Sequence, residues 1–174
     1  MVKFIIFVIV SAAIVFRSWK SLRQLSSHGF FRFFAWETIL VLILVNLDYW
    51  FREPFSALQI ASWLLFLGSI IMVVHGFYLL HAVGRPEGEF EDTTVLVKRG
   101  AYKYIRHPLY SSLLLLSWGV LFKDISLLSV SLAIVAFGFL VATARVEEAE
   151  NIQKFGDDYT SYMKTTRMFL PFLF

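Results

Sequence analysis

No Asp, Glu, Lys or Arg occurs between Pro54 and Gly84. The hydrocarbon core of a bilayer needs about 20 mostly apolar residues as a helix, and this run exceeds that. The rest of the chain agrees with a membrane setting. Hydrophobic residues make up 58% and charged residues 17%, where soluble domains average about 45–50% and about 25%. Mean hydropathy is +0.68. A soluble globular domain and a disordered chain are both excluded. The 174 residues amount to one domain, 1–174. Cysteine is absent, which removes disulfides, thiolate metal sites and a cysteine nucleophile.

Five stretches are expected to cross the bilayer. They run from about Val2 to Phe16, Phe33 to Phe51, Pro54 to Gly84, Pro108 to Phe122 and Ile125 to Ala144. The first reads as an anchor, because apolar Ile14-Val15-Phe16 follows Ser11-Ala12-Ala13 and spoils it as a cleavage site. Only Lys123-Asp124 separates the last two, so a tight helical hairpin is expected. Glu37 and Asp48 lie near the ends of the second stretch, where an interfacial position suits them. The fold class is therefore all-α: a polytopic integral membrane protein with five transmembrane helices and a C-terminal cytoplasmic helical tail.

Orientation follows from the basic residues. Thirteen of the sixteen Lys and Arg fall on one side; Lys3, Arg52 and Lys123 fall on the other. The positive-inside rule puts the N-terminus outside and the loop before Pro108 and the tail in the cytoplasm. The small size suggests a prokaryotic inner membrane. The net charge of +3 thus speaks of orientation, and no nucleic-acid partner is expected. In the loop from Arg17 to Arg32, Trp19, Leu22 and Leu25 suggest an interfacial amphipathic turn.

Two polar pieces share the cytoplasmic face. The loop from Arg85 to His107 opens on Gly84-Arg85-Pro86-Glu87-Gly88, continues through the acids Glu87, Glu89, Glu91 and Asp92, and ends at Arg106-His107-Pro108. Pro108 suits the first turn of a helix, where its missing N–H costs nothing. His107 then stands at that helix start with Tyr110 close beside it. In the tail, Glu147, Glu148, Asn151 and Ile152 continue the last span as a helix until Gly156, a C-cap. A short helix from about Asp157 to Met163 then pairs Tyr159 with Tyr162. Taken singly, a His before Pro, a Glu pair and interfacial tyrosines are ordinary. Together they deliver carboxylates, an imidazole and phenols to one membrane face, which suits a polar cofactor carrying charge and hydrogen-bonding edges. A metal is not expected: His75 and His81 are six residues apart, which does not bring them to one helix face.

The segment Leu96-Val97-x-x-Gly100-x-Tyr102-x-x-x-Arg106-His107-Pro108-x-Tyr110 resembles the signature of the isoprenylcysteine carboxyl methyltransferase family, whose plan the phospholipid N-methyltransferases share. The tail, with Glu147-Glu148, Phe155-Gly156-Asp157-Asp158-Tyr159-x-x-Tyr162 and Leu170-Pro171-Phe172, supports the likeness, which covers about Val83 to Phe174. The resemblance implies an integral membrane enzyme that uses S-adenosylmethionine at the cytoplasmic face and takes a lipophilic acceptor from the bilayer, a prenylated cysteine or a membrane lipid. It implies that Thr94, Val95, Leu96 and Val97 contact the adenosine part, that Gly100 permits a backbone bend, and that Tyr102, His107, Pro108, Leu109 and Tyr110 line the cofactor. It implies that Glu147 holds the cofactor's polar end and that Glu148 supports it. One position departs from the pattern. Many carboxyl methyltransferases of this family carry Arg four residues before the first Glu, and Thr143 stands there. Two further readings remain open: an NADPH-dependent membrane reductase and a non-enzymatic membrane scaffold.

Overall fold

The computed structural model describes residues 1–87 and 92–171. Glu89 and Glu91 of the acidic cluster, Gly88 of the breaker cluster, and Phe172 of the tail motif lie outside the described residues. Among the described residues six α-helices follow one another: α1 (Val2–Leu22), α2 (His28–Asn46), α3 (Ala57–Ala82), α4 (Pro108–Leu121), α5 (Leu127–Phe155) and α6 (Asp157–Thr165). Among the described residues there is no strand, only the isolated bridges Pro86 with Thr93 and Ile105 with Arg167.

Four helical stretches among the described residues are long and apolar enough to cross a membrane: Val2–Leu22, His28–Tyr49, Ala57–Ala82 and Leu127–Phe155. The fourth expected span, α4, is apolar but has 14 residues, about 21 Å of helix against a core of about 30 Å. Two boundaries differ from the sequence reading for local reasons. Helix α1 runs on through Trp19 to Leu22, so these two residues form its last turn, and Leu25 follows the helix end. Helix α2 starts at His28, well before Phe33, because the Ser27 hydroxyl accepts from the Phe30 N–H and caps it. Arg32 is thus inside the helix, where its guanidinium lies 4.9 Å from the Trp36 ring centroid.

The chain divides into two compact units, residues 1–66 with 114–147 and residues 67–113 with 148 onward. In the first, α1 and α2 are antiparallel. Lys3 Nζ lies 2.6 Å from Asp48 Oδ2, and Ser11 Oγ donates to Glu37 Oε1 at 2.9 Å. Both acids thus have partners on α1. The core of this unit gathers Leu42, Phe66, Val120 and Ala133, with Trp50 and Leu116 against it. In lipid, apolar burial alone does not hold helices together, and small residues with interhelical hydrogen bonds take over. Ser62 Oγ donates to the Gly119 carbonyl at 2.6 Å, and Asn46 Nδ2 donates to Ser129 Oγ at 3.0 Å. The turn between α4 and α5 is fastened by Lys123, whose ammonium donates to Gln59 Oε1 at 2.8 Å and lies 3.6 Å from the Trp63 ring centroid.

In the second unit Leu79, Leu80, Val97 and Tyr102 form the buried cluster, with Val83 and Leu109 against it. Ser69 Oγ donates to the Ser112 carbonyl at 2.8 Å. Gly156 has φ +57°, a conformation that L side chains rarely adopt, and this ends α5 and starts α6. The expected continuation of the last span to Gly156 and the short helix after it are both present, α6 extending two residues past Met163.

Candidate functional site

The second unit brings the loop before α4 against the chain after α6. Arg106 N–H donates to the Arg167 carbonyl at 2.7 Å, His107 N–H to the Met168 carbonyl at 3.1 Å, and Arg167 N–H to the Tyr104 carbonyl at 3.0 Å. These parallel bonds lay residues 166–169 alongside residues 104–107. Side chains reinforce them. Ser111 Oγ donates to the Phe169 carbonyl at 2.8 Å, and the buried Tyr162 hydroxyl donates to the Tyr102 carbonyl at 2.6 Å. Burial pushes that phenol well above the usual tyrosine range, so it stays a donor.

Arg106 is the centre of this arrangement. Its Nε donates to Glu148 Oε1 at 2.5 Å, and its Nη1 donates to the Thr166 carbonyl at 2.7 Å and the Met163 carbonyl at 3.4 Å. His107 Nε2 lies 3.3 Å from the same Glu148 oxygen. The three side chains are nearly closed to solvent, at 10%, 3% and 8% exposure for Arg106, His107 and Glu148. A buried carboxylate persists as an anion only when it is paired and hydrogen-bonded, and Arg106 with His107 meets that need. The His107 ring stacks on Tyr110, centroids 5.4 Å apart and planes 18° from parallel, and meets Phe169 edge-on at 6.2 Å.

The residues expected at a cofactor differ in how the fold places them. His107, Pro108, Tyr110 and Glu148 are buried, and three of them belong to the network just described. Pro108 opens α4, as its fixed φ and missing N–H favour. Tyr102 and Val97 turn their side chains into the apolar cluster with Leu79 and Leu80, and half-buried Leu109 packs against it. Thr94 and Val95 are exposed. Thr94 Oγ1 donates to the Arg85 carbonyl at 2.9 Å, and Val95 N–H to the Gly84 carbonyl at 3.1 Å. Leu96 is half-buried. Among the described residues, the backbone groups of Leu96 and Val97 make no hydrogen bond. Gly100 has φ +57°, and a Cβ there would come 2.4 Å from His75 Nε2, so the bend admits no side chain. Glu147, half-buried, is the last residue of the first unit, one position before Glu148 on α5.

Arg106 and Ser111 join the site without a sequence feature that marks them for it. Arg106 stood in the motif, but nothing in its spacing told that the Met163 and Thr166 carbonyls converge on it. Ser111 carried no signal beyond its place one turn after His107.

Residues 58–158 match the family model described as phospholipid methyltransferase, which is more than half of the chain. No curated protein sequence matches it.

Proposed function

Because the chain belongs to the phospholipid methyltransferase family, we propose that it transfers a methyl group from S-adenosylmethionine to a lipid acceptor at the cytoplasmic face of a membrane. The family match carries this reading, since the matched residues include both Arg106-His107-Pro108 and Glu147-Glu148. The donor set fits the cofactor. The backbone groups of Leu96 and Val97, with no hydrogen bond among the described residues, suit an adenine, which needs in-plane donors and acceptors. The Glu147 carboxylate suits an ammonium or a ribose diol through charge-assisted hydrogen bonds. His107 and Tyr110 add an imidazole and a phenol at the start of α4, and Gly100 keeps the preceding bend clear. Glu148 acts through Arg106 and His107, whose positions it fixes. When bound, the cofactor supplies a methyl group on a cationic sulfonium, a leaving group that needs no assistance. The chain's own task is then to hold acceptor and methyl in line, keep water away, and take up the proton that an ammonium acceptor must lose before its nitrogen can attack the methyl.

We take the acceptor to be a lipid amine head group. Thr143 is fully buried and its hydroxyl donates to the Phe139 carbonyl at 2.7 Å, so it offers no anchor for an acceptor carboxylate. An isoprenylcysteine carboxylate is the second reading, favoured by the motif from Leu96 to Tyr110. We place the N-terminus outside and the tail in the cytoplasm, with α4 as a fifth crossing. Within the first unit, the pairings Ser62 with Gly119 and Gln59 with Lys123 support that crossing, because the α3 number falls as the partner number rises, so the chain there runs antiparallel to α3.

The test offers radiolabelled S-adenosylmethionine to the purified protein with phosphatidylethanolamine or with a farnesylated cysteine derivative. Label in the phospholipid is the expected result. Label in the farnesylcysteine alone would replace the acceptor assignment and keep the methyl transfer. Label in neither, with both lipids in mixed micelles, would contradict the proposal.

A further inference from the structure

Between α6 and the residues around Gly100 lies a cleft of about 230 Å³, lined by Lys98, Lys103, Ser161, Tyr162, Thr165 and Thr166. We propose that it binds the phosphate of an anionic membrane lipid. No acid lines it, and neither lysine has a carboxylate partner among the described residues. Lys98 Nζ donates once, to the Asp158 carbonyl at 3.3 Å, and lies 5.9 Å from the Tyr162 ring centroid. Two of its three N–H donors remain for a ligand. Lys103 Nζ lies 5.7 Å from the exposed Tyr104 ring and makes no hydrogen bond among the described residues.

The floor of the cleft is fixed in advance. The hydroxyl protons of Tyr162, Thr165 and Thr166 are committed to the Tyr102 carbonyl and, for both threonines, the Tyr162 carbonyl. Ser161 is exposed and its hydroxyl has no partner among the described residues, so it is a ready donor. Two ammonium groups and one free hydroxyl form a set of donors with no acceptor of comparable charge, which is the requirement of a phosphate oxygen cluster.

Size and position choose the lipid over a nucleotide. The volume lies below the ~300–1,000 Å³ of sites that enclose a drug-sized molecule, so a head group fits and a whole cofactor does not. Lys103 stands five residues before Pro108, where the apolar helix α4 begins, and exposed Tyr104 beside it is the kind of aromatic found at membrane interfaces. Basic groups next to a membrane surface draw anionic lipids. Lipid binding at this cleft is independent of the methyltransferase reading, and it is read without any turnover.

The test is native mass spectrometry of the full chain released from detergent containing phosphatidylglycerol or phosphatidylcholine of the same acyl chains. The wild type is expected to retain one phosphatidylglycerol and no phosphatidylcholine. Lys98→Gln with Lys103→Gln is expected to weaken retention about tenfold or more, from the loss of two charges at the surface. Lys98→Arg with Lys103→Arg is expected to keep it, which separates loss of the site from loss of the fold. Lys20→Gln with Arg23→Gln, a basic pair on and just after α1, is expected to retain the lipid. Equal retention of both lipids, retention by the double Gln variant, or equal loss in the α1 pair would overturn the proposal. So would binding of inorganic phosphate at the cleft without any lipid preference.

Discussion

Arg106 Nε lies 2.5 Å from Glu148 Oε1, and His107 Nε2 lies 3.3 Å from the same oxygen. One carboxylate on α5 therefore orients two consecutive residues at the start of α4. Breaking a buried ion pair by removing one partner leaves the other charge uncompensated and costs about 3–5 kcal/mol. Glu148→Gln keeps the shape and removes the charge. It is expected to lower the thermal midpoint in detergent by the equivalent of about 3 kcal/mol. Equal midpoints for Glu148→Gln and the wild type would contradict the assignment.

Arg106 also holds backbone. Its Nη1 reaches the Thr166 and Met163 carbonyls while Nε serves Glu148, a division of labour that a planar fork of donors allows and a single ammonium does not. Arg106→Lys is expected to keep the charge beside Glu148 and release the chain after α6. Hydrogen exchange should then rise across residues 163–169, with the amides of α2 unaffected. Unchanged protection over 163–169 would show that the Ser111 and Tyr162 bonds suffice.

Two glycines are expected to respond with opposite sign. Gly100→Ala forces φ +57° on an L residue, at about 1–2 kcal/mol, and puts a Cβ 2.4 Å from His75 Nε2 and 2.7 Å from Leu79 Cδ1. Gly138 sits inside α5, and a Cβ added there would meet nothing within 4 Å. Gly138→Ala should therefore stabilise by about 0.5–1 kcal/mol through helix propensity. Thermal midpoints of the two variants, measured side by side, decide the matter; a stabilised Gly100→Ala would contradict the tight bend.

Burial lowers the Lys123 ammonium below the ordinary lysine range. The unfolded chain then binds that proton more tightly than the folded one, so the group costs stability at neutral pH. The cost fades as pH rises from the folded value toward the unfolded one near about 10.4. Compared with Lys123→Met, the wild type should gain in relative midpoint between pH 7 and about 10. A relative loss over that window would show that the contacts to Gln59 and Trp63 outweigh desolvation.

Much of this architecture is legible in the residues, and the rest is missing for identifiable reasons. The uncharged run from Pro54 to Gly84 contains α3, and Gly156 marks the break between α5 and α6 because only glycine accepts that φ readily. Charge misleads at Arg32, where the hydropathy of the chain falls but the helix continues from its Ser27 cap. Trp19 and Leu22 look interfacial by spacing, yet no breaker precedes them, so α1 simply extends. The motif before α4 carries Arg106 and His107, and the tail carries Glu148. Their convergence on one oxygen depends on how residues 163–169 return to the loop, and no local pattern carries that information.

The cofactor site for S-adenosylmethionine is tested most directly by calorimetric titration of the detergent-solubilised protein with S-adenosylhomocysteine, with NADPH in parallel and Glu147→Ala and His107→Ala as variants. Saturable binding of S-adenosylhomocysteine by the wild type, its loss in both variants, and no binding of NADPH are expected. Binding of NADPH alone would contradict that expectation in favour of a reductase, and binding of neither by the wild type would contradict the cofactor site itself.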